Sequence, residues 1–122
     1  MAINNSILNT VKDAIPGTDD SLSEQANVFD DQLIMYINAQ LNRLRQLGVG
    51  PKEGFKITGP YETWDAFLTN DVEINMAKEF IVNKVRLLFD TPQSGFVVTM
   101  LEKENDKLEW LMNVDAENDW GI

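Results

Sequence analysis

The 122-residue sequence predicts an all-α protein: a small four-helix bundle with one long glycine- and proline-rich loop and a flexible acidic C-terminal tail. Apolar residues recur at helical spacing in the two longest periodic segments. Clusters of proline and glycine separate the periodic segments from one another. Hydrophobic residues make up 43% of the chain, which is typical of a folded domain. We therefore expect one helical domain over residues 1–113 and a tail over residues 114–122.

Two predicted helices occupy the first part of the chain. The first is short, spans about residues 6–14 and ends at Pro16-Gly17. A polar connection over 17–28 leads to the second, over about 29–47. Its apolar positions follow a 3-4-3 spacing, at Ile34, Ile37, Leu41 and Leu44. Gly48 is the expected C-terminal cap of this helix.

The segment "GVGPKEGFKITGPYET", residues 48–63, contains four glycines and two prolines, which forbid a regular helix. A loop of this length in a small domain usually makes contacts or carries function. A helical turn follows at 62–68, and a third helix is predicted over 71–89 with Asn70 or Asp71 as its cap. This helix carries two adjacent apolar stripes, so we expect it to be the central one.

The last predicted helix follows a break at Asp90-Thr91-Pro92, because the residue before a proline disfavours helical backbone. Ser94 is its expected N-cap, and the helix spans about 95–112. Its apolar seam consists of Val97, Leu101, Leu108 and Leu111. The charged residues between 102 and 109 alternate in sign, which is typical of a solvated helix face.

The composition excludes several classes of function. The chain has no cysteine and no histidine, so disulfides, thiolate metal sites and histidine-dependent nucleophiles cannot form within it. The net charge of −10 disfavours a high-affinity DNA surface and a basic membrane-binding helix. No apolar run is long enough to span a membrane, and no signal peptide is recognisable. We expect a soluble protein made in a cytoplasm.

The sequence predicts no cofactor, no metal site and no enzymatic activity. Asp115, Glu117 and Asp119 alternate like the start of a calcium loop, but Trp120 occupies the position that requires glycine. A carboxylate-dependent hydrolase would need paired carboxylates in a cleft, and the sequence shows no such pair. Trp120 is either a contact anchor or an unstructured residue, because a tryptophan in a short acidic tail cannot easily reach its own core.

Three stretches resemble the phage head–tail connector, or adaptor, family. "VRLLFDTPQSGFV" is followed by "LEKENDKLEWLMN", an apolar helix that ends in a Leu-Phe-Asp-x-Pro turn before a last helix with Leu-Glu-Trp. "YINAQLNRLRQLGVG" and "FKITGPYETWDAFL" are similar to earlier parts of that family, in the same order. Gly95 departs from the pattern, where a second small polar residue is more usual. The likeness covers about 36–113.

The resemblance implies a structural virion protein at the neck, made in the host cytoplasm, that forms a homo-oligomeric ring, commonly a dodecamer. The ring would dock on the portal protein, extend the DNA channel and join the capsid to a stopper or tail-completion protein. Double-stranded DNA would pass without specific binding. The strongly negative charge agrees with this, since an acidic channel repels DNA. The alternative is an acidic DNA mimic that inhibits a DNA-binding host protein.

Two sets of residues are the expected contact sites on this reading. The portal contact is predicted at the end of the last helix and in the tail, at Trp110, Val114, Trp120 and Ile122. A second contact, with a neighbouring subunit or the tail-side partner, is predicted in the long loop, at Val49, Pro51, Phe55, Ile57 and Tyr61. The break at 90–94 would set the angle at which the last helix reaches beyond its own domain.

Overall fold

A computed structural model describes residues 5–15, 29–89 and 92–119, with only the backbone for 115–119. The described residues form helices, and the one pairing of extended backbone is an isolated antiparallel bridge between Ser6 and Thr63. In chain order the helices are α1 (Ile7–Ala14), α2 (Asp30–Gln46), α3 (Trp64–Phe67), α4 (Asp71–Phe89) and α5 (Gly95–Asp119). The predicted all-α bundle is confirmed.

Helix α4 is the centre of the fold, and α1, α2 and α5 all pack against it. Asn70 starts it, because its side-chain oxygen accepts hydrogen bonds from the backbone N–H groups of Val72 and Glu73. The two apolar stripes predicted for this helix are the reason for its position, since each stripe needs its own partner. One apolar stripe, formed by Ile74, Ala77, Ile81, Val85 and Leu88, is buried except for Leu88, which is exposed near the end of the helix.

Helices α1 and α3 are joined by the bridge between their caps. Ser6 caps α1 by accepting from the Asn9 N–H, and Thr63 caps α3 by accepting from the Ala66 N–H. The Trp64 N–H donates to the carbonyl of Asn5 at 2.9 Å. The chain start is therefore tied to the middle of the sequence, and Trp64 lies fully buried between the two segments.

The end of the last helix differs from the prediction. Helix α5 continues to Asp119 instead of ending near residue 112, so the backbone of most of the expected tail is helical. The apolar period does stop at Met112, and the predicted end of the helix was based on that period. A helix that is already nucleated adds residues without needing further core contacts, so the backbone extends beyond the packed part.

Candidate assembly surface

The long loop after α2 is held by tight turns and by one asparagine. Gly48 has a φ of 90° and follows Leu47, which is the helix cap in place of the expected Gly48. The Asn38 side chain then clamps the loop: its amide donates to the Ile57 carbonyl at 3.0 Å and its oxygen accepts from the Ile57 N–H at 2.7 Å. A loop so anchored is a fixed surface feature.

A second turn in this loop is organised around a carboxylate. The N–H and hydroxyl of Thr58 both donate to Glu62 Oε2, at 2.9 and 2.8 Å. Burial alone would raise the pKa of Glu62, but the hydrogen bonds from Thr58 and from nearby backbone outweigh it, so this pKa lies below its ordinary value. The charged form of Glu62 therefore supports the turn that presents Tyr61.

Because of this arrangement, the free energy of unfolding depends on pH in the acidic range. Because the Glu62 pKa is lowered in the folded chain, its contribution is present at pH 7 and is lost as the pH falls below the ordinary value of 4.5. We expect Glu62→Gln to lower the free energy of unfolding by about 1 kcal/mol at pH 7, and by much less at pH 3.5. Urea titrations at both pH values measure this. Glu79→Gln, on the exposed side of α4, is the control; an equal loss at both pH values would contradict the assignment.

The residues predicted for the loop contact differ in how exposed their side chains are. Val49 and Ile57 are buried in the core, because the clamp and the turn after α2 point them inward, so their side chains are not available to a partner. Pro51 and Phe55 are half-buried, and the Phe55 ring packs on Phe67 with 5.3 Å between centroids. Tyr61 is 76% exposed. Tyr61, with the outer edges of Pro51 and Phe55, is the accessible part of this prediction.

The outer face of α5 carries three large, exposed apolar side chains. Trp110 is 65% exposed and Phe96 is 73% exposed, and Met100 is also exposed. With Lys103 and Lys107 they follow a 4-3-4-3 spacing, so all five lie on one side of the helix. Val114 continues this line and is half-buried. Trp120 and Ile122 lie outside the described residues.

Phe96 and Met100 were not predicted as contact residues, because only the inner seam of α5 was recognised from the sequence. The same 4-3-4-3 pattern, begun at residue 96 in place of 97, identifies them. Large apolar side chains on the solvent side of a helix mark contact surfaces when they cluster. The structure thus places Trp110 on the same helix face as two apolar residues that were not predicted.

The inner face of α5 is fixed to the bundle by uncharged side chains. Asn105 is buried; its amide donates to the Phe80 carbonyl at 3.1 Å, and its oxygen accepts from the Asn83 amide at 3.0 Å. Asn113 donates to the carbonyl of Leu47 at 3.2 Å. Ser94 caps the helix, as predicted, by accepting from the Val97 N–H. These bonds set the rotation of α5 and hence the direction of its outer face.

One ion pair joins α5 to α2 at the surface. The Arg43 guanidinium donates to Glu109 through two nitrogens, at 3.0 and 3.4 Å. The side-chain hydrogen bond to Glu109 and the charge of Glu109 raise the pKa of Arg43. An exposed pair of this kind contributes under about 1 kcal/mol.

Neither a candidate metal site nor a membrane-spanning helix occurs among the described residues. They contain no group of three or more acidic side chains that could hold a metal ion. The side chains of Asp115, Glu117 and Asp119 lie outside the described part of the chain. Within the described residues, no helix combines the length and apolarity needed to cross a bilayer.

A cluster of exposed apolar side chains on the last helix of a small helical domain is typical of a partner-binding surface. The family model described as "Phage connector protein" matches residues 7–119. The chain belongs to the phage connector protein family, and is thus a structural component of a bacteriophage particle in a typically non-enzymatic family. No curated protein and no solved structure matched the chain.

Proposed function

We propose that this protein is a head–tail connector subunit that assembles into a ring on the portal, extends the DNA channel and joins the capsid to a stopper or tail component. The observation that carries the proposal is the outer face of α5. Phe96, Met100 and Trp110 are exposed there, although the bundle core is already filled by other residues. Family membership supplies the kind of partner, a portal or tail component.

In this proposal α5 and the residues after it contact the portal. Trp110 is the central residue, because a tryptophan that becomes fully buried on binding is a common source of affinity. Val114, Trp120 and Ile122 extend the same contact toward the chain end. Tyr61, Pro51 and Phe55 form a separate contact, with a neighbouring subunit or with the tail-side partner, because the exposed Tyr61 belongs to the loop after α2 and not to α5.

The charge of the chain supports the channel role. Each subunit has a net charge of −10, so a closed ring would surround DNA with a strongly negative wall. Such a wall repels phosphates and leaves DNA free to move. The exposed charges of α5 mix lysines with carboxylates, which differs from the uniform carboxylate array that an acidic DNA mimic needs.

The test is portal binding by a surface variant that keeps the fold. We expect Trp110→Ala to weaken binding to the purified portal protein at least tenfold, with unchanged melting temperature, because the side chain has few contacts in the free subunit. Light scattering of the protein alone and with portal measures both affinity and the mass of the assembly. Gln46→Ala, an exposed residue on α2, is the control.

A second variant tests the chain end. A protein truncated after Asn113 keeps the bond to Leu47 and should fold, but we expect it to lose portal docking. Normal docking by both variants would refute the α5 contact. A protein that stays monomeric with every portal and competes with DNA for a host nuclease would favour the DNA-mimic alternative.

A further inference from the structure

The outer face of α2 has an unusual lack of charge. Residues 32–42 contain no charged side chain, although Gln32, Met35, Ala39 and Asn42 are exposed there, Met35 by 60%. The exposed positions of α4 include Asp71, Glu79 and Arg86, and those of α5 include Glu102, Lys103, Asp106 and Lys107. One charge in four residues is the chain average, so this face stands apart from the other long helices. Loss of charge is characteristic of the centres of protein interfaces.

The two ends of this face carry opposite charges. Asp31 lies in the first turn of α2 and Arg45 in the last turn, both exposed. Neither forms an ion pair with another described residue, whereas the adjacent Asp30 and Arg43 are paired with Lys12 and Glu109. The Arg45 side chain lies along the outer flank of the helix, where its Nε is 3.5 Å from Asn42 Oδ1.

This pattern is complementary to itself. Asp31 and Arg45 are separated by fourteen residues, about 21 Å along the helix axis. Two copies of α2 that pack antiparallel and cross near residue 38 would each place Asp31 against Arg45 of the other. Ala39, beside the crossing point, is small enough for close approach of the helices, and antiparallel packing also opposes the helix dipoles favourably.

We propose that the outer face of α2 binds a second copy of this chain as an antiparallel, twofold-symmetric pair. The opposite charges of Asp31 and Arg45 favour a second copy of the chain as the binding partner. A chain with a net charge of −10 repels its own copies, and this face offers an approach on which residues 32–42 of the helix carry no carboxylate and Arg45 supplies a cation at one end, although Glu53 and Lys56 of the loop lie beside it. A groove of about 520 Å³ beside Arg45, lined by Asn38, Asn42 and residues 53–56, leaves room for the start of the partner helix.

A twofold contact closes on itself, so it pairs subunits and cannot by itself build a ring. The inference therefore goes beyond the proposed function and stands or fails separately from portal docking. One helix face with a polar centre is smaller than the contact of a permanent dimer. The pair should accordingly be weak, dependent on concentration and sensitive to salt.

The test is sedimentation velocity of the full chain over a range of concentrations. We expect a monomer–dimer equilibrium, and we expect Asp31→Arg and Arg45→Asp each to raise the dissociation constant at least tenfold, because each creates two repulsive contacts per pair. The double variant Asp31→Arg/Arg45→Asp should return to within threefold of the original. A mixture of the two single variants should form heterodimers, since both contacts are then attractive.

The controls reproduce the changes in net charge on another helix: Asp106→Arg and Lys107→Asp on α5 should leave the equilibrium unchanged. Met35→Glu should abolish the pair without touching either helix end, and circular dichroism checks that each variant folds. A wild-type chain that is monomeric at every concentration would overturn the proposal. Equal weakening by the single and double variants, with no rescue in the mixture, would overturn the twofold arrangement and point to a head-to-tail contact.

Discussion

Replacing Trp64 by alanine should lower the free energy of unfolding by about 3–5 kcal/mol, the cost of removing a large buried aromatic side chain. Trp64 is completely buried, and its indole N–H donates to Thr10 Oγ1 at 3.0 Å. The Lys78 ammonium lies 5.9 Å from the ring centroid. The side chain thus connects α1, α3 and α4, and its removal leaves a cavity and takes away the hydrogen bond that the Thr10 hydroxyl accepts, although this hydroxyl still donates to the Ser6 carbonyl.

The chain contains its own control for this substitution. Trp110→Ala removes the same atoms from an exposed position on α5 and should change stability by less than about 0.5 kcal/mol. Urea denaturation followed by circular dichroism is the suitable measurement, because both variants alter tryptophan fluorescence. Similar stability losses for the two variants would show that Trp64 is not the centre of the core.

The second large effect is expected at Gly50. Its φ is 89°, and a Cβ atom at this position would lie 2.5 Å from Cε1 of Phe67. Gly50→Ala therefore combines an unfavourable backbone conformation with a steric clash against a buried ring. We expect a loss of about 2–4 kcal/mol from these two sources. Thermal unfolding of the variant measures the loss.

Gly59→Ala is the matched control, since the added Cβ would have its nearest neighbour at 3.9 Å on Tyr61. It should change stability by less than about 1 kcal/mol. The clash can be separated from the backbone strain with Phe67→Leu. If both sources contribute, Gly50→Ala should cost less in the Phe67→Leu background than in the wild type. A Gly50→Ala variant as stable as Gly59→Ala would contradict this account.

The sequence predicted the fold where local signals were strong. The bounds of α4 agree with the prediction, because Asn70 supplies a cap at one end and Asp90-Thr91-Pro92 follows at the other. The aromatic residues Trp64, Phe67 and Phe80 lie in the buried core, and Phe89 packs against it partly buried. These results come from capping chemistry and apolar spacing, both of which are visible without tertiary contacts.

The contact surface was harder to predict from capping chemistry and apolar spacing. Val49 and Ile57 were assigned to a surface loop by composition, yet the loop folds back on Asn38 and Phe67, and only tertiary structure reveals that. The end of α5 was placed too early because its acidic residues have no apolar period. The charge-free face of α2 was visible in the sequence, but its exposure became clear only when the buried positions of that helix were known.

The hydrogen bond between the side chains of Asn83 and Asn105 also affects how the attachment of α5 to α4 responds to salt. Side-chain amides carry no net charge and do not titrate, so this link between α5 and α4 does not weaken with ionic strength or pH, whereas salt screens the Arg43–Glu109 pair. DNA carries a dense layer of counterions through the channel. If α5 is the helix that meets the portal, its orientation stays constant while the salt concentration around it changes.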